Sequence, residues 1–245
     1  MAGIASATPH NDQGRGESYF VNGNSYIVYR ERNRSIELSP RTRYEQRNTK
    51  MEETLMKDVI EIRWHGRGGQ GAKTAALLLA ESALEEGKYI QGFPEYGPER
   101  MGAPMRSFTR ISEAPITLHS NVRNPDAVVV LDSSLLDTID VVDGLSEEGV
   151  LLINTSQPPQ KIRQKLNLKK RKVFTVDASS ISLDILGRNL PNTPMLGALI
   201  KATDLLGIDT IISAIKHKFE KKFSSRILEG NIQAIRRAYE EAKGE

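Results

Sequence analysis

Two apolar runs of strand length, DAVVVLD at 126–132 and GVLLIN at 149–154, have no polar residue in their interiors, as expected of strands covered on both faces of a sheet. Further strands are predicted at 88–93, 105–111, 115–118 and 172–177. The stretch 58–65 differs: Ile60, Ile62 and Trp64 alternate with Glu61, Arg63 and His65, so one face of that strand is polar. Helices are predicted at 71–86, 158–166, 179–187, 195–206, 209–222 and 225–242, and on the last Ile227, Ile232, Ile235 and Tyr239 form an apolar stripe. Strands alternating with helices from residue 58 onward predict an α/β fold, three-layer α/β/α, with a mixed, mostly parallel sheet and a C-terminal helical cluster.

Residues 1–57 stand apart from this 58–245 domain. They hold five of the thirteen Phe and Tyr residues without a helical period. Asn22-Gly23 between two β-prone runs predicts a small hairpin, while the lack of apolar pattern elsewhere predicts a disordered leader, or a true start at Met51 or Met56. The basic character lies here too. Residues 1–50 carry eight Lys/Arg against five acids, leaving 26 of each for residues 51–245 out of totals of 34 and 31. The main body therefore has no field to steer polyanions, and nucleic acid is not an expected partner, although KKRK at 169–172 is a local basic patch.

No apolar stretch approaches the ~20 residues that span a bilayer, and the N-terminus lacks the features of a secretory signal, so the expected location is cytoplasmic, without a membrane. The 245 residues contain no cysteine, which removes disulfides, thiolate zinc sites and ordinary iron–sulfur ligation by this chain. His10, His65, His119 and His217 are scattered, with no pair at metal-ligand spacing.

Against this background IRWHGRGGQG, residues 62–71, is a candidate ligand loop. Gly66, Gly68 and Gly71 have the spacing G-x-G-x-x-G between a strand and a helix, where backbone N–H groups and the helix N-terminus suit a phosphate. A dinucleotide fingerprint also needs an acid about 20 residues on. Glu95 is near that place but lies within a second motif, GFPEYGPERMGAP at 92–104, whose three prolines and three glycines surround Phe93, Tyr96, Glu99, Arg100 and Met101. A rigid loop so rich in contact-making side chains is a functional candidate. Arg67 would serve phosphate binding or pair with Glu95 or Glu99, and His65 would orient the loop rather than catalyse. Thr193 would cap a helix with Pro194 at its first position, and Gly197 implies close approach of another backbone. Asp132-Ser133-Ser134 and Asn154-Thr155 end strands where open α/β sheets bind ligands. The motifs of nucleophilic, P-loop and zinc-hydrolase chemistry are missing, so no catalytic residue is assigned.

In order and spacing, IRWHGRGGQGAKTAA, GKYIQGFPEYGPERMGAPMRSFTRIS, NPDAVVVLD, GVLLINTS and PNTPMLGAL closely resemble the gamma subunits of the pyruvate:ferredoxin oxidoreductases, within the 2-oxoacid:ferredoxin oxidoreductase family. The resemblance covers about residues 58–243; residues 1–50 depart from it. It implies a subunit of an enzyme that joins a 2-oxoacid to coenzyme A, releases carbon dioxide and passes two electrons to ferredoxin. Thiamine diphosphate with Mg would sit on alpha and beta subunits, and 4Fe-4S clusters on cysteine-rich chains including a ferredoxin-like delta subunit. No cofactor would be bound by this chain alone. The expected coenzyme A-facing residues are Gly66, Arg67, Gly68, Gly69, Gln70 and Gly71, with Glu95, Arg100 and Asn154. Relatives acting on 2-oxoisovalerate, 2-oxoglutarate or indolepyruvate, and a free-standing dinucleotide-binding protein, are the alternatives.

Overall fold

The computed structural model describes residues 17–22, 25–30, 59–95 and 101–245, the first two segments through their backbone pairing. Nine strands form one sheet among these residues: β1 Glu17–Asn22, β2 Ser25–Arg30, β3 Val59–Arg67, β4 Tyr89–Pro94, β5 Pro104–Ser112, β6 Ala127–Val130, β7 Val150–Asn154, β8 Lys172–Val176 and β9 Lys243–Gly244. Six helices accompany them: α1 Ala72–Glu85, α2 Pro159–Lys165, α3 Ala178–Leu186, α4 Asn192–Thr203, α5 Ile208–Phe219 and α6 Ser225–Glu241, with a 3-10 turn at Ser133–Asp137.

The spatial order is β1-β2-β4-β5-β3-β6-β7-β8-β9. The mixed sheet has two halves: β3, β6, β7 and β8 are parallel neighbours, whereas β1, β2, β4 and β5 pair antiparallel with their neighbours. In the parallel half the apolar runs are buried on both faces, as their composition requires. Glu17–Asn22 and Ser25–Arg30 pair antiparallel, with Asn22 opposite Ser25, and β2 continues the sheet beside β4. The expectation of a leader or a later start concerns residues outside those described.

One face of the sheet carries the main core. Ile62, Trp64, Val129, Leu152 and Val176 pack there against α1, α3, α4, α5 and α6. Trp64 is fully buried and its Nε1 donates to Thr109 Oγ1 at 3.1 Å, while that hydroxyl donates to the Ala76 carbonyl at 2.8 Å, so one indole ties β3, β5 and α1 together. The opposite face is thinner: Val128, Val130, Leu151, Ile153 and Val173 lie under the 3-10 turn, α2 and the 138–145 segment.

Two expectations are corrected. Residues 115–118 are not a strand. They run as extended coil over the polar face of the antiparallel half, where the Ile116 and Leu118 carbonyls accept from Gln91 Nε2 and the Leu118 and Ser120 carbonyls accept from Arg110. Those buried donors need acceptors that a sheet-paired segment would have used on a neighbouring strand. Helix α4 begins at Asn192, not at 195: Pro191 is its cap, Met195 N donates to the Pro191 carbonyl, and Thr193 and Pro194 lie within the first turn. The close approach at Gly197 is present, against the backbone of Ile235 on α6. No helix among the described residues is long and apolar enough to cross a membrane.

Candidate functional site

Strand β3 delivers the glycine loop to the carboxyl edge of the parallel half, and α1 leaves from it. Gly69 has φ +97° and Gly71 φ +81°, left-handed values that disfavour a side chain, and a Cβ at Gly71 would also lie 2.7 Å from Asn192 Nδ2. The loop is joined to the second motif. Gly68 N donates to the Ala103 carbonyl at 2.9 Å and Gly102 N to the Gly68 carbonyl at 3.1 Å. Thus the two most unusual stretches of the sequence, joined through residues more than thirty positions apart, form one surface, on which Met101 is 89% exposed. Arg100, Tyr96 and Glu99 lie outside the described residues.

Within the loop the polar side chains are turned to one carboxylate. Arg67 Nε donates to Asp132 Oδ2 at 3.1 Å, its Nη2 to Ser134 Oγ at 2.9 Å and its Nη1 to the Gly102 carbonyl at 3.1 Å. Gln70 Nε2 donates to the same Asp132 oxygen at 2.8 Å, while Gln70 Oε1 accepts from Arg67 N at 2.7 Å. Arg67 therefore pairs with Asp132, not with Glu95. Burial works against a charge on Asp132. The Ser134 hydroxyl, the Gln70 amide, the Ser134 backbone N–H and Arg67 outweigh it and hold the carboxyl below its ordinary range. The brace is thus intact at neutral pH and is lost only as pH falls through that depressed value. Asp132 is the residue that sequence reasoning underused: its place at a strand end was visible, but its partners depend on β6 lying beside β3.

The remaining candidates do not converge on this loop. Glu95 is held by Arg106 at 2.5 and 2.6 Å. Asn154 is buried as a brace, its Nδ2 donating to the Leu131 carbonyl and Ser179 Oγ, both at 2.9 Å, and its Oδ1 accepting from Ser179 N at 3.1 Å. The amides of Arg67, Gly68 and Gln70 are taken by Gln70 Oε1, Ala103 O and Arg67 O. Those of Gly69 and Gly71 have no partner among the described residues. The dinucleotide arrangement is also absent in its topology: β5 sits between β3 and β4, so the strand after α1 is not the parallel neighbour of β3.

The polar face of β3 is buried. Arg63 is 2% and His65 1% exposed. Arg63 Nε donates to His65 Nε2 at 3.0 Å, and Nη2 donates to the carbonyls of Val141 at 3.1 Å and Asp143 at 2.5 Å. The imidazole so held is neutral: burial first, then the charges of Arg63 and Arg106, lower its pKa from 6.5 to about 3. The unfolded chain takes up a proton below its ordinary pKa that the folded chain refuses. Stability is therefore full above about pH 6.5 and falls as pH drops toward 3, by up to roughly 1.4 kcal/mol per pH unit. Chemical denaturation at pH 7 and pH 5 should show this loss in the wild type and a smaller one in His65→Gln; equal losses would mean that the histidine charges inside the fold.

No group of three or more metal-ligating His, Asp or Glu side chains occurs among the described residues. Residues 61–241 match the family model described as pyruvate ferredoxin/flavodoxin oxidoreductase. The chain is 50% identical over 189 residues to pyruvate synthase subunit PorC of Thermotoga maritima, covering 77% of this chain and 97% of that one. It is 49% identical over 185 residues to the pyruvate/ketoisovalerate oxidoreductases common subunit gamma of Pyrococcus furiosus, covering 76% and 98%. The crystal structure of pyruvate oxidoreductase subunit PORC from Thermotoga maritima superposes with a TM-score of 0.68 at 47% identity, covering 76% of this chain and 98% of that one.

Proposed function

Because the chain belongs to the pyruvate ferredoxin/flavodoxin oxidoreductase family, we propose that it works in the cytoplasm as the gamma subunit of a multi-subunit pyruvate:ferredoxin oxidoreductase. The reaction joins pyruvate and coenzyme A to give acetyl-CoA and carbon dioxide, and two electrons pass to ferredoxin. The observation that carries the reading is coverage: half-identity extends over 97% of the length of a pyruvate synthase subunit.

Thiamine diphosphate with Mg and the 4Fe-4S clusters would be held by alpha, beta and delta partners, since this chain has no cysteine to ligate iron. Its own part would be to seat coenzyme A and face the other subunits. Three features support a coenzyme A role for the glycine loop: the unpartnered amides of Gly69 and Gly71, the positive end of α1, and a loop pre-set by Arg67 and Gln70 on Asp132. In this proposal Gly66, Gly68, Gly69 and Gly71 let the backbone approach a phosphate, Arg67 and Gln70 hold the loop's shape and charge, Glu95 and Arg100 belong to the adjoining 92–104 surface, and Asn154 braces the sheet edge behind it.

The test is the assembled enzyme with coenzyme A varied. Arg67→Ala removes the guanidinium that joins Asp132, Ser134 and Gly102, and Gly69→Val puts a branched side chain at φ +97°; each should raise the KM for coenzyme A about tenfold or more. Unchanged constants in both would assign the loop to assembly. A second reading, a gamma chain shared between 2-oxoacid enzymes, is favoured by the relative named as a common subunit of pyruvate and ketoisovalerate oxidoreductases. Capture of the partner chains, followed by ferredoxin reduction with each 2-oxoacid, separates the two.

A further inference from the structure

The turn that joins α5 to α6 puts apolar and basic side chains together in solvent. Residues 221–227 are exposed without a break and hold Lys221, Lys222, Phe223, Arg226 and Ile227 but no acid, with Glu220 and Glu229 on either side. Phe223 is 44% and Ile227 39% exposed. By sequence Ile227 belongs to the apolar stripe of α6. Ile232 and Ile235 further along that stripe are buried in the core, so the stripe runs on past what this chain covers.

The chain's own stability explains part of this corner. Phe223 precedes the cap residue Ser224 and Leu228 is the fourth residue after it, the spacing of a hydrophobic staple, and the Phe223 ring meets Phe219 edge-on at 5.1 Å. Lysines just past the end of α5 suit the negative end of that helix. Neither reason reaches Ile227 or Arg226. Arg226 stands in the first turn of α6, where a cation faces the positive end of the helix. Nearby cations are paired, Lys218 with Glu81, Arg236 with Asp209 and Arg237 with Asp184. Lys221, Lys222 and Arg226 make no ion pair among the described residues.

The corner also lies at the end of the molecule that carries the glycine loop. Gly197 meets the Ile235 backbone and, one turn on, Lys201 Nζ lies 5.2 Å from the Tyr239 ring centre, so α4 and α6 run in the same direction and start at the same end. The start of α4 is Asn192, which abuts Gly71. Helix α5 runs opposite to α1, with Thr210 at Glu86 and Lys218 at Glu81, so its end and the turn after it lie toward the start of α1.

We propose that residues 221–227 are a docking surface for another subunit of the oxidoreductase, one whose matching face is apolar at its centre and acidic around it. A second copy of this chain seated on the same surface would set like charges against each other, so the sign of the charge selects a different chain. This rests on the reading of the chain as a gamma subunit and gives that reading a contact surface beside the ligand edge.

The test titrates the full chain into its purified partner chains, assembled without it. Lys221→Glu combined with Lys222→Glu should weaken association about tenfold or more at low salt and much less at high salt, and Ile227→Gln should weaken it about tenfold at both. The thermal midpoint of the chain should hold in each, since all three side chains are exposed. Lys169→Glu combined with Lys170→Glu changes the net charge equally at the opposite edge, where β8 begins, and should leave the affinity unaltered. Equal weakening by both double variants, or an unaltered affinity in either the Lys221/Lys222 variant or Ile227→Gln, overturns the surface while the gamma-subunit reading stands. Self-association of the wild type that these variants abolish makes the occupant a second copy and also overturns it. If the wild type does not join the partner chains at all, the gamma-subunit reading itself falls.

Discussion

Gly197→Ala should unfold the C-terminal helical layer at a temperature well below that of the wild type. The added Cβ would collide with the Ile235 carbonyl, a backbone atom of α6 that cannot rotate aside as a side-chain tip can. Helices α4 and α6 would have to separate along an interface that includes Leu196, Leu199, Ile200, Ile235 and Ala238. Overpacking generally costs about 1–3 kcal/mol and more where backbone must move, against a gain of about 1 kcal/mol in helix propensity for alanine over glycine. A net loss of roughly 2 kcal/mol, or about 4–8 °C in Tm for a domain of this size, is expected from calorimetry. A Tm within 2 °C of wild type would show that the crossing is looser than this.

The second large effect is expected at Arg63. Substituting methionine keeps the volume but removes the donor that, among the described residues, reaches His65 Nε2, Val141 O and Asp143 O, leaving the first two acceptors in a water-poor interior and the third at its exposed edge. Each orphaned buried acceptor costs about 1–3 kcal/mol, so Arg63→Met should lose roughly 3–5 kcal/mol in denaturant unfolding. The loss should reach the site as well. Arg63 ties the 141–143 segment to β3, and that segment follows the turn carrying Asp132 and Ser134, whose brace sets Arg67. A raised KM for coenzyme A in the assembled complex is the expected companion. An unchanged denaturation midpoint would mean that water reaches these carbonyls.

The helices were legible because each carries its own apolar period and local stops; the structured spans differ from the expected ones by no more than about three residues at any end. The fully apolar strands were legible for the same local reason. The 115–118 segment differs from the expected strand because β-prone residues such as Ile116 and Thr117 look alike whether they join a sheet or lie across it, and Pro115 at its start suits either. At α4 the Thr-Pro pair has the form of a cap and first position, but Pro191 takes the cap, so the helix begins three residues early. The site itself was half legible. Its glycines and Arg67 announce a tight turn suited to an anion, whereas the partner of Arg67 is found only once β6 is placed beside β3.

The chain by itself determined the α/β class, the element order, the absence of cysteine thiolates and the two motifs that meet at one edge of the sheet, because these follow from periodicity, composition and local backbone preference. Tertiary structure alone decided that the polar face of β3 is buried around Arg63 and His65, that Asp132 gathers Arg67 and Gln70, and that Asn192 meets Gly71. Each of these joins residues between about 60 and 120 positions apart, across strands whose neighbours are chosen by packing of the whole sheet. Such pairings leave no periodic trace in the residues on either side of them.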